Sequence, residues 1–196
     1  GTTELSLDSS SATFAGDVGI GVTPSSWQTI QNSNALQFYG SYVYNYRDTN
    51  LIIGNNAYYD GAWKYYKSSI GATKFNSGSG AFDFAVSSSG NANDPITWID
   101  ALKIDSSGDI IIGTTSNSYN KGKLTVHNTP GAPATSGTST TNVGFRLATT
   151  TGNSQVMDMG IYNATPYGAW IQVSGAGAME TTTPLILNPN GGNVGI

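Results

Sequence analysis

The stretch Gly16-Asp17-Val18-Gly19-Ile20-Gly21-Val22-Thr23-Pro24 alternates large apolar residues with glycine, and a similar stretch recurs as Gly108-Asp109-Ile110-Ile111-Ile112-Gly113-Thr114-Thr115. The chain ends in Gly192-Asn193-Val194-Gly195-Ile196 and begins with Gly1-Thr2-Thr3. When the last residues are read on into the first, they give a third copy of the motif. Recurring motifs are typical of repetitive proteins, which act more often as shafts or binding surfaces than as enzymes. We therefore expect a non-enzymatic segment of a longer repetitive protein.

Each motif copy has the pattern of a short β-strand, in which successive side chains point to opposite faces. In the first copy Val18 and Ile20 share one face, and Gly19 and Gly21 share the other. A glycine face lets another backbone approach closely, and a strand this short buries too little surface to be stable alone. We therefore expect the apolar residues to pack around the axis of three intertwined chains. The predicted axis residues are Val18, Ile20, Ile110, Ile112, Val194 and Ile196.

The composition favours hydrogen-bonded β-structure and excludes several classes of function. Only 10% of the 196 residues are charged, whereas Ser and Thr together number 46 and Gly 25. Eight Lys and Arg residues are too few for a nucleic-acid surface, no apolar run is long enough to span a membrane, and Cys is absent. The glycine motif also lacks the spacing and the following helix of nucleotide-binding loops. We expect no cofactor, no nucleic-acid partner and no membrane insertion.

Short apolar runs between clusters of Gly, Ser, Asn and Asp predict an all-β chain. Leu102–Asp105 and Leu185–Asn188 are two such runs, and each leads through a turn into a motif copy. The segment Asn56–Trp63 aligns without gaps with Asn163–Trp170, which indicates two related modules. Thr129–Thr141, rich in Pro, Gly, Ser and Thr, is either a linker between the modules or a long surface loop within one domain. The expected division is 1–30 as a shaft segment, 31–113 as the first β-module, 114–141 as a connecting strand and linker, and 142–196 as a second, shorter β-module.

The motif copies and the strands beside them resemble segments of the tail fibres and tail spikes of tailed bacteriophages. In fibres that end in an endosialidase-type intramolecular chaperone, a similar glycine motif follows a strand like Leu102–Gly108 and leads into one like Lys123-Leu124-Thr125-Val126. The resemblance implies an elongated homotrimeric fibre segment in which small β-sandwich-like modules are joined by short intertwined β strands. It also implies an extracellular location on the virion and a role in attachment to the host cell.

Aromatic residues concentrate in the first module, where eight of the 11 Tyr lie between Tyr39 and Tyr66. Tyr42, Tyr44 and Tyr46 alternate along the chain and therefore share one strand face. Flat apolar rings beside Asn and Asp side chains suit the C–H faces and the hydroxyl groups of a sugar. The same rings would also pack well across strands or at a subunit interface. The predicted contacts for a host-surface glycan are Tyr42, Tyr44, Tyr46, Tyr59, Trp63 and Tyr65.

Five aspartates have side chains suited to catalysis or to metal binding. Asp83, Asp94 and Asp100 are the candidates for glycosidase catalysis, which needs two carboxylates beside the sugar bond. Asp105 and Asp109 have ligand chemistry suited to calcium, but the full loop pattern of a calcium site is missing. Turn formation explains Asp94 and Asp105 more simply. We expect neither a catalytic site nor a metal site.

The function predicted from these features is structural and adhesive. Modules strung along a trimeric viral fibre would present three copies of any weak receptor site together, and multivalency would convert weak contacts into firm attachment. One alternative is a carbohydrate-binding module or a glycan-degrading tail spike. A second alternative is a repeat of a bacterial extracellular adhesin, which would have the same composition.

Overall fold

The structure is a computed structural model that describes residues 14–28, 33–114, 122–138, 140–149, 155–165, 167–181, 183–187 and 189–191. Strands, turns and extended segments account for these residues, so the prediction of an all-β chain is confirmed. The chain divides into two compact units, Gly1–Thr125 and Val126–Ile196. Within the described ranges, no helix is long and apolar enough to cross a membrane.

Eleven of the described strands lie between Val18 and Val126, and nine of them form one main sheet. The strands are β1 (Val18–Gly19), β2 (Asn34–Phe38), β3 (Ser41–Tyr46), β4 (Asn50–Asn55), β5 (Ala57–Tyr59), β6 (Trp63–Tyr65), β7 (Thr73–Gly78), β8 (Ala81–Val86), β9 (Ile99–Ile104), β10 (Ile110–Ile112) and β11 (Leu124–Val126). The order in the sheet is β1-β2-β3-β4-β7-β8-β9-β10-β11, and β5 pairs with β6 in a separate two-stranded ribbon. β1 runs parallel to β2, whereas the pairs from β2 to β10 are antiparallel.

The two faces of this sheet differ in what packs on them. The covered face carries Tyr42, Tyr44 and Ile52, which are buried together with Trp27 and with the β5–β6 ribbon. The open face carries the alternate side chains of the same strands. Its large apolar residues remain partly exposed, as Ile53 shows with 43% of its surface accessible.

A row of apolar residues crosses the open face, with one residue from each of eight strands. This apolar row consists of Val18, Leu36, Val43, Ile53, Phe75, Phe84, Leu102 and Ile112, which are paired in register. The row begins in the first motif copy and ends in the second. The sheet therefore connects the two copies through a single line of aliphatic and aromatic side chains.

Charged residues in the strands of the main sheet all lie on the covered face. They are Lys74, Asp83, Asp100 and Lys103, and the register pairs Lys74 and Asp100 with Ala85, and Asp83 with Lys103. Strand alternation in Ala81-Phe82-Asp83-Phe84-Ala85-Val86 produces this arrangement, since Asp83 and Ala85 point one way and the Phe and Val residues point the other. The open face is thus free of charge along these strands.

The second unit contains a three-stranded antiparallel sheet formed by β12 (Phe145–Ala148), β13 (Gln155–Tyr162) and β14 (Gly168–Gly175). One face buries Val156 and Asp158. Arg146 holds the Asp158 carboxylate in a bidentate ion pair, with Nε and Nη2 at 2.7 and 2.8 Å from the two carboxylate oxygens. The opposite face leaves four large apolar residues about half exposed: Phe145, Leu147, Ile161 and Ile171.

The segment predicted as a linker belongs to the second unit. The indole N–H of Trp170 donates a hydrogen bond to the Gly131 carbonyl at 2.9 Å, and the Gln172 amide donates to the Ala134 carbonyl at 2.8 Å. These bonds hold the described part of Thr129–Thr141 against β14. Two carbonyls of this segment thus find their partners on the sheet of the second unit.

The two segments that align in sequence occupy different places in the fold. Asn56–Trp63 includes β5 and the turn into β6, whereas Asn163–Trp170 contains the turn from β13 into β14. Both segments lead into a strand that carries a tryptophan, but the sheets around them have different strand orders. The shared residues therefore mark two hairpin turns.

Replacing Gly160 with alanine should destabilise the second unit, because the added methyl would collide with the Trp170 ring and lie 2.6 Å from the Asn142 carbonyl oxygen. Overpacking of this kind typically costs about 1–3 kcal/mol. Gly168→Ala is the matched control, since nothing lies within 4 Å of its added carbon. Urea unfolding monitored by tryptophan fluorescence should show a lower midpoint for Gly160→Ala. Equal midpoints for the two variants would contradict the close packing.

Candidate functional site

Tyr42 and Tyr44, two of the predicted glycan contacts, form the centre of the first unit's core. They are 2% and 0% exposed, and their ring centroids lie 5.1 and 4.9 Å from that of Trp27. Burial raises the pKa of both hydroxyl groups. Tyr65 is also buried, and its hydroxyl donates a hydrogen bond to the Ser88 carbonyl at 2.7 Å. These three tyrosines pack in the interior of the first unit and offer no ring face to a ligand.

Trp27 is fixed over the tyrosines by a buried glutamine. The indole N–H of Trp27 and the backbone N–H of Ser25 both donate to Gln37 Oε1, at 2.9 and 2.8 Å. The Gln37 amide nitrogen donates in turn to the Tyr39 carbonyl at 2.6 Å. The buried polar atoms of this side chain are thus paired, which allows a glutamine to remain in an aromatic core.

The other three predicted contacts, Tyr46, Tyr59 and Trp63, keep part of their surface and line a pocket of about 230 Å³. We call this site the aromatic pocket. Ring centroids are 5.5 Å apart for Tyr46 and Tyr59 and 5.4 Å apart for Tyr59 and Trp63. The remaining lining residues are Asn50, Ile52, Lys74 and Asn76, which come from β4 and β7.

A line of polar side chains crosses four strands beside these rings. Asn50 Nδ2 donates to Asn76 Oδ1 at 3.0 Å, and Asn76 Nδ2 donates to Asp83 Oδ2 at 3.2 Å. The Lys103 ammonium lies 3.7 Å from Asp83 Oδ1. We call this line the polar ladder. Because the Asp83 carboxylate only accepts hydrogen bonds, the Asn76 amide must turn its N–H group towards Asp83. The Asn76 oxygen then faces Asn50 and fixes the orientation of that amide as well.

Lys74 contributes the one charged side chain of the pocket lining. Its ammonium nitrogen lies 5.4 Å from the Trp63 ring centroid and 4.5 Å from that of Trp98, within the range of cation–π attraction. Burial lowers the pKa of Lys74, and the nearby charges of Asp100 and Asp83 act in the opposite direction. The two carboxylates therefore flank a lysine on the covered face.

Asp94 and Asp105 form turns, as predicted. Asn91 Nδ2 donates to Asp94 Oδ2 at 3.0 Å within one loop. Asp105 Oδ1 accepts the backbone N–H groups of Ser107 and Asp109 at 2.9 and 3.0 Å, which closes the turn before β10. In the part of the chain that the structure describes, no group of three or more His, Asp or Glu side chains is placed to hold a metal ion.

The predicted axis residues lie mainly at the surface of the first unit. Ile20 is 53% exposed, Ile110 and Ile112 are each 37% exposed, and Val18 is partly buried at the start of the apolar row. Val194 and Ile196 lie outside the described residues. The glycine face of the first copy is approached by the chain's own Val22 carbonyl, which an added side chain on Gly19 would strike.

Sequence reasoning missed Trp27, Lys74 and Asn76. Lys74 and Asn76 alternate along Thr73–Gly78 and therefore share a face, but nothing in the sequence indicates that β7 pairs with β4. Trp27 lies between β1 and β2, outside any strand. The alternation of strand residues therefore does not predict where its side chain packs.

Comparisons with known proteins assign no family to the chain, so its function must be inferred from its own geometry. No family model, no curated protein and no solved structure matches the chain. The features available for a functional interpretation are therefore the open face, the aromatic pocket and the polar ladder.

The pH dependence of stability should carry a contribution from Lys74. Its pKa in the folded protein lies below the ordinary value of 10.5, so between these two values the unfolded chain binds more protons and stability rises with pH. Compared with Lys74→Met, the unsubstituted protein should gain stability as the pH rises towards this ordinary value from below. The slope should stay below the roughly 1.4 kcal/mol per pH unit of a full proton, because the group is partly solvated.

Urea titrations at several pH values measure the difference in unfolding free energy between the unsubstituted protein and Lys74→Met. The contribution of tyrosine ionisation cancels in this difference, because both proteins contain the same tyrosines. Lys67→Met, at an exposed lysine, controls for the loss of one surface charge. A difference between the unsubstituted protein and Lys74→Met that stays flat or falls over this pH range would contradict the assignment.

Proposed function

We propose that this chain is a structural and adhesive segment of a homotrimeric viral tail fibre that contributes to attachment at the host-cell surface. The observation that carries the proposal is the open face of the main sheet. Its apolar row runs between the two motif copies, and charged residues are absent from this face along the sheet strands. A face of this kind suits burial against further copies of the chain.

The exposed apolar area is large for a solitary chain. Nine side chains of the open face are between 37% and 55% exposed: Phe38, Leu51, Ile53, Phe82, Phe84, Val86, Ile99, Ile110 and Ile112. At roughly 200 Å² for a fully exposed side chain, they leave on the order of 700 Å² of apolar surface in water, whereas the largest patch on a typical monomer is about 300–600 Å². About 800 Å² per partner is the usual size of a stable interface.

The shape of the open face also favours insertion of side chains from another copy. One hollow of about 570 Å³ is lined by residues that include Phe38, Phe75 and Phe84. A second hollow of about 420 Å³ is lined by residues that include Val18 and Leu51. Since closed symmetric assemblies repeat the same contact on every copy, these hollows would be filled equally around a three-fold axis.

The second unit repeats this arrangement on a smaller scale. Phe145, Leu147, Ile161 and Ile171 stand on one face of its sheet and are about half exposed. Each of the two units therefore buries one face of its sheet and leaves the other face apolar and partly exposed. This arrangement supports self-association through both units. The resemblance of the motif copies to phage tail fibres supports three as the number of chains.

A monomeric carbohydrate-binding module is the second candidate function, and the aromatic pocket favours it. Such a module would need the pocket but would have no use for an uncharged, apolar open face. The mass in solution therefore separates the two candidates.

Size-exclusion chromatography with light scattering should give about 61 kDa, three times the chain mass of 20.4 kDa. The paired substitutions Ile53→Asp and Phe84→Asp place two charges in the middle of the apolar row and should release monomers. The covered face is untouched, so the near-ultraviolet circular dichroism of the core tyrosines should persist.

Ser88→Asp together with Ser68→Asp serves as the charge-matched control at exposed loop positions, and this variant should keep the mass of the unsubstituted protein. Salt should have little effect on the association, because the buried surface is uncharged. A single species at 20.4 kDa for the unsubstituted protein over the whole accessible concentration range would rule out the trimer.

A further inference from the structure

We propose that the aromatic pocket binds one uncharged pyranose ring, and that this pocket is where a fibre built from this chain meets a surface glycan. The inference rests on the proposed function for its biological setting. The site differs from the six aromatic contacts predicted from the sequence, because three of those are buried. Its polar half comes from Asn50, Lys74 and Asn76.

The ring wall of the pocket suits the apolar face of a sugar. Tyr59 and Trp63 are partly exposed, and each packs against the buried Tyr44, with centroid distances of 6.3 and 6.2 Å and an edge-on arrangement for Trp63. Rings held by a buried neighbour keep their orientation without a ligand, so little conformational entropy is lost when one binds. Axial C–H groups of a pyranose would lie against these faces.

The amides of the polar ladder provide the matching hydrogen bonds. A primary amide has two N–H donors and two acceptor lone pairs. Asn50 uses one donor towards Asn76 and accepts from the Thr49 hydroxyl at 2.7 Å. Asn76 uses one donor towards Asp83 and one lone pair towards Asn50. Each amide therefore keeps one N–H and one lone pair for neighbouring hydroxyl groups of a ligand.

Charge and size define the ligand further. Lys74 is flanked by Asp83 and Asp100, whose charges both act on it, so the residues that line the pocket offer no unbalanced positive charge to an acidic sugar, and the Arg47 guanidinium, 4.9 Å from the Tyr46 ring centroid, lies outside the lining. A volume of about 230 Å³ is below the roughly 300–1,000 Å³ of pockets for drug-sized ligands. One ring fits, and the rest of a glycan would extend into solvent.

Saturation-transfer difference NMR with the methyl glycosides of glucose, galactose, mannose and N-acetylglucosamine tests the proposal on the intact chain. At least one glycoside should bind in the millimolar range, with transfer strongest at its ring C–H protons. Asn76→Leu and Tyr59→Ala should each weaken that glycoside about tenfold, the change that corresponds to roughly 1.4 kcal/mol for a lost contact. Circular dichroism of both variants confirms that they fold.

Tyr167→Ala removes an aromatic ring that is 70% exposed in the second unit, and this variant should bind like the unsubstituted protein. Absence of transfer to all four glycosides at tens of millimolar would overturn the proposal. So would binding that survives both pocket substitutions or disappears with Tyr167→Ala. Light scattering on the same samples keeps the proposals separate, since a trimer without glycoside binding overturns only the pocket, and a monomer with binding overturns only the fibre.

Discussion

The pairing of eight strands around one in-register line of apolar side chains is the constraint on which the main sheet depends. Because strand side chains alternate, a slip of one residue between any two strands would move Phe75 or Phe84 to the covered face and bring a charge such as Asp83 to the open face. The apolar row thus specifies the register across the sheet. It also leaves one face of the folded chain with the surface properties of an interior.

The covered face follows the same strand register, but it carries aromatic side chains in one region and polar side chains in another. Over β2 to β4, Trp27 and the ribbon bury tyrosines, and Gln37 accepts the hydrogen bond of the Trp27 indole N–H among them. Over β7 to β9 the same face carries the polar ladder, in which a hydrogen bond joins Asn76 to Asp83 and an ion pair joins Asp83 to Lys103. The aromatic pocket lies where these two regions meet. Rings from one region and amides from the other are brought together by the pairing of β4 with β7.

Local patterns in the sequence were enough to predict strands and shared faces. Alternation placed Tyr42, Tyr44 and Tyr46 together, and turn chemistry identified Asp94 and Asp105. Alternation does not say which face is covered, since that depends on Trp27 and on a ribbon inserted between β4 and β7. The composition of Thr129–Thr141 left a linker and a surface loop open, and two of its carbonyls bond to a sheet that only the tertiary structure provides. Lys74 and Asn76 in the polar half of the pocket were missed for the same reason, because β7 reaches Asn50 only through a pairing of strands that are not neighbours in the chain.

The strand order has a kinetic consequence. Apart from the step from β4 to β7, every antiparallel pair between β2 and β10 joins strands that are consecutive in the chain, and sheets built from such short-range pairings form quickly. A chain that associates through its open face would therefore complete its own sheet before it meets a second copy. Assembly would then be a concentration-dependent encounter between finished subunits, and the time each subunit spends with that face in water would be the interval in which it is most prone to aggregate.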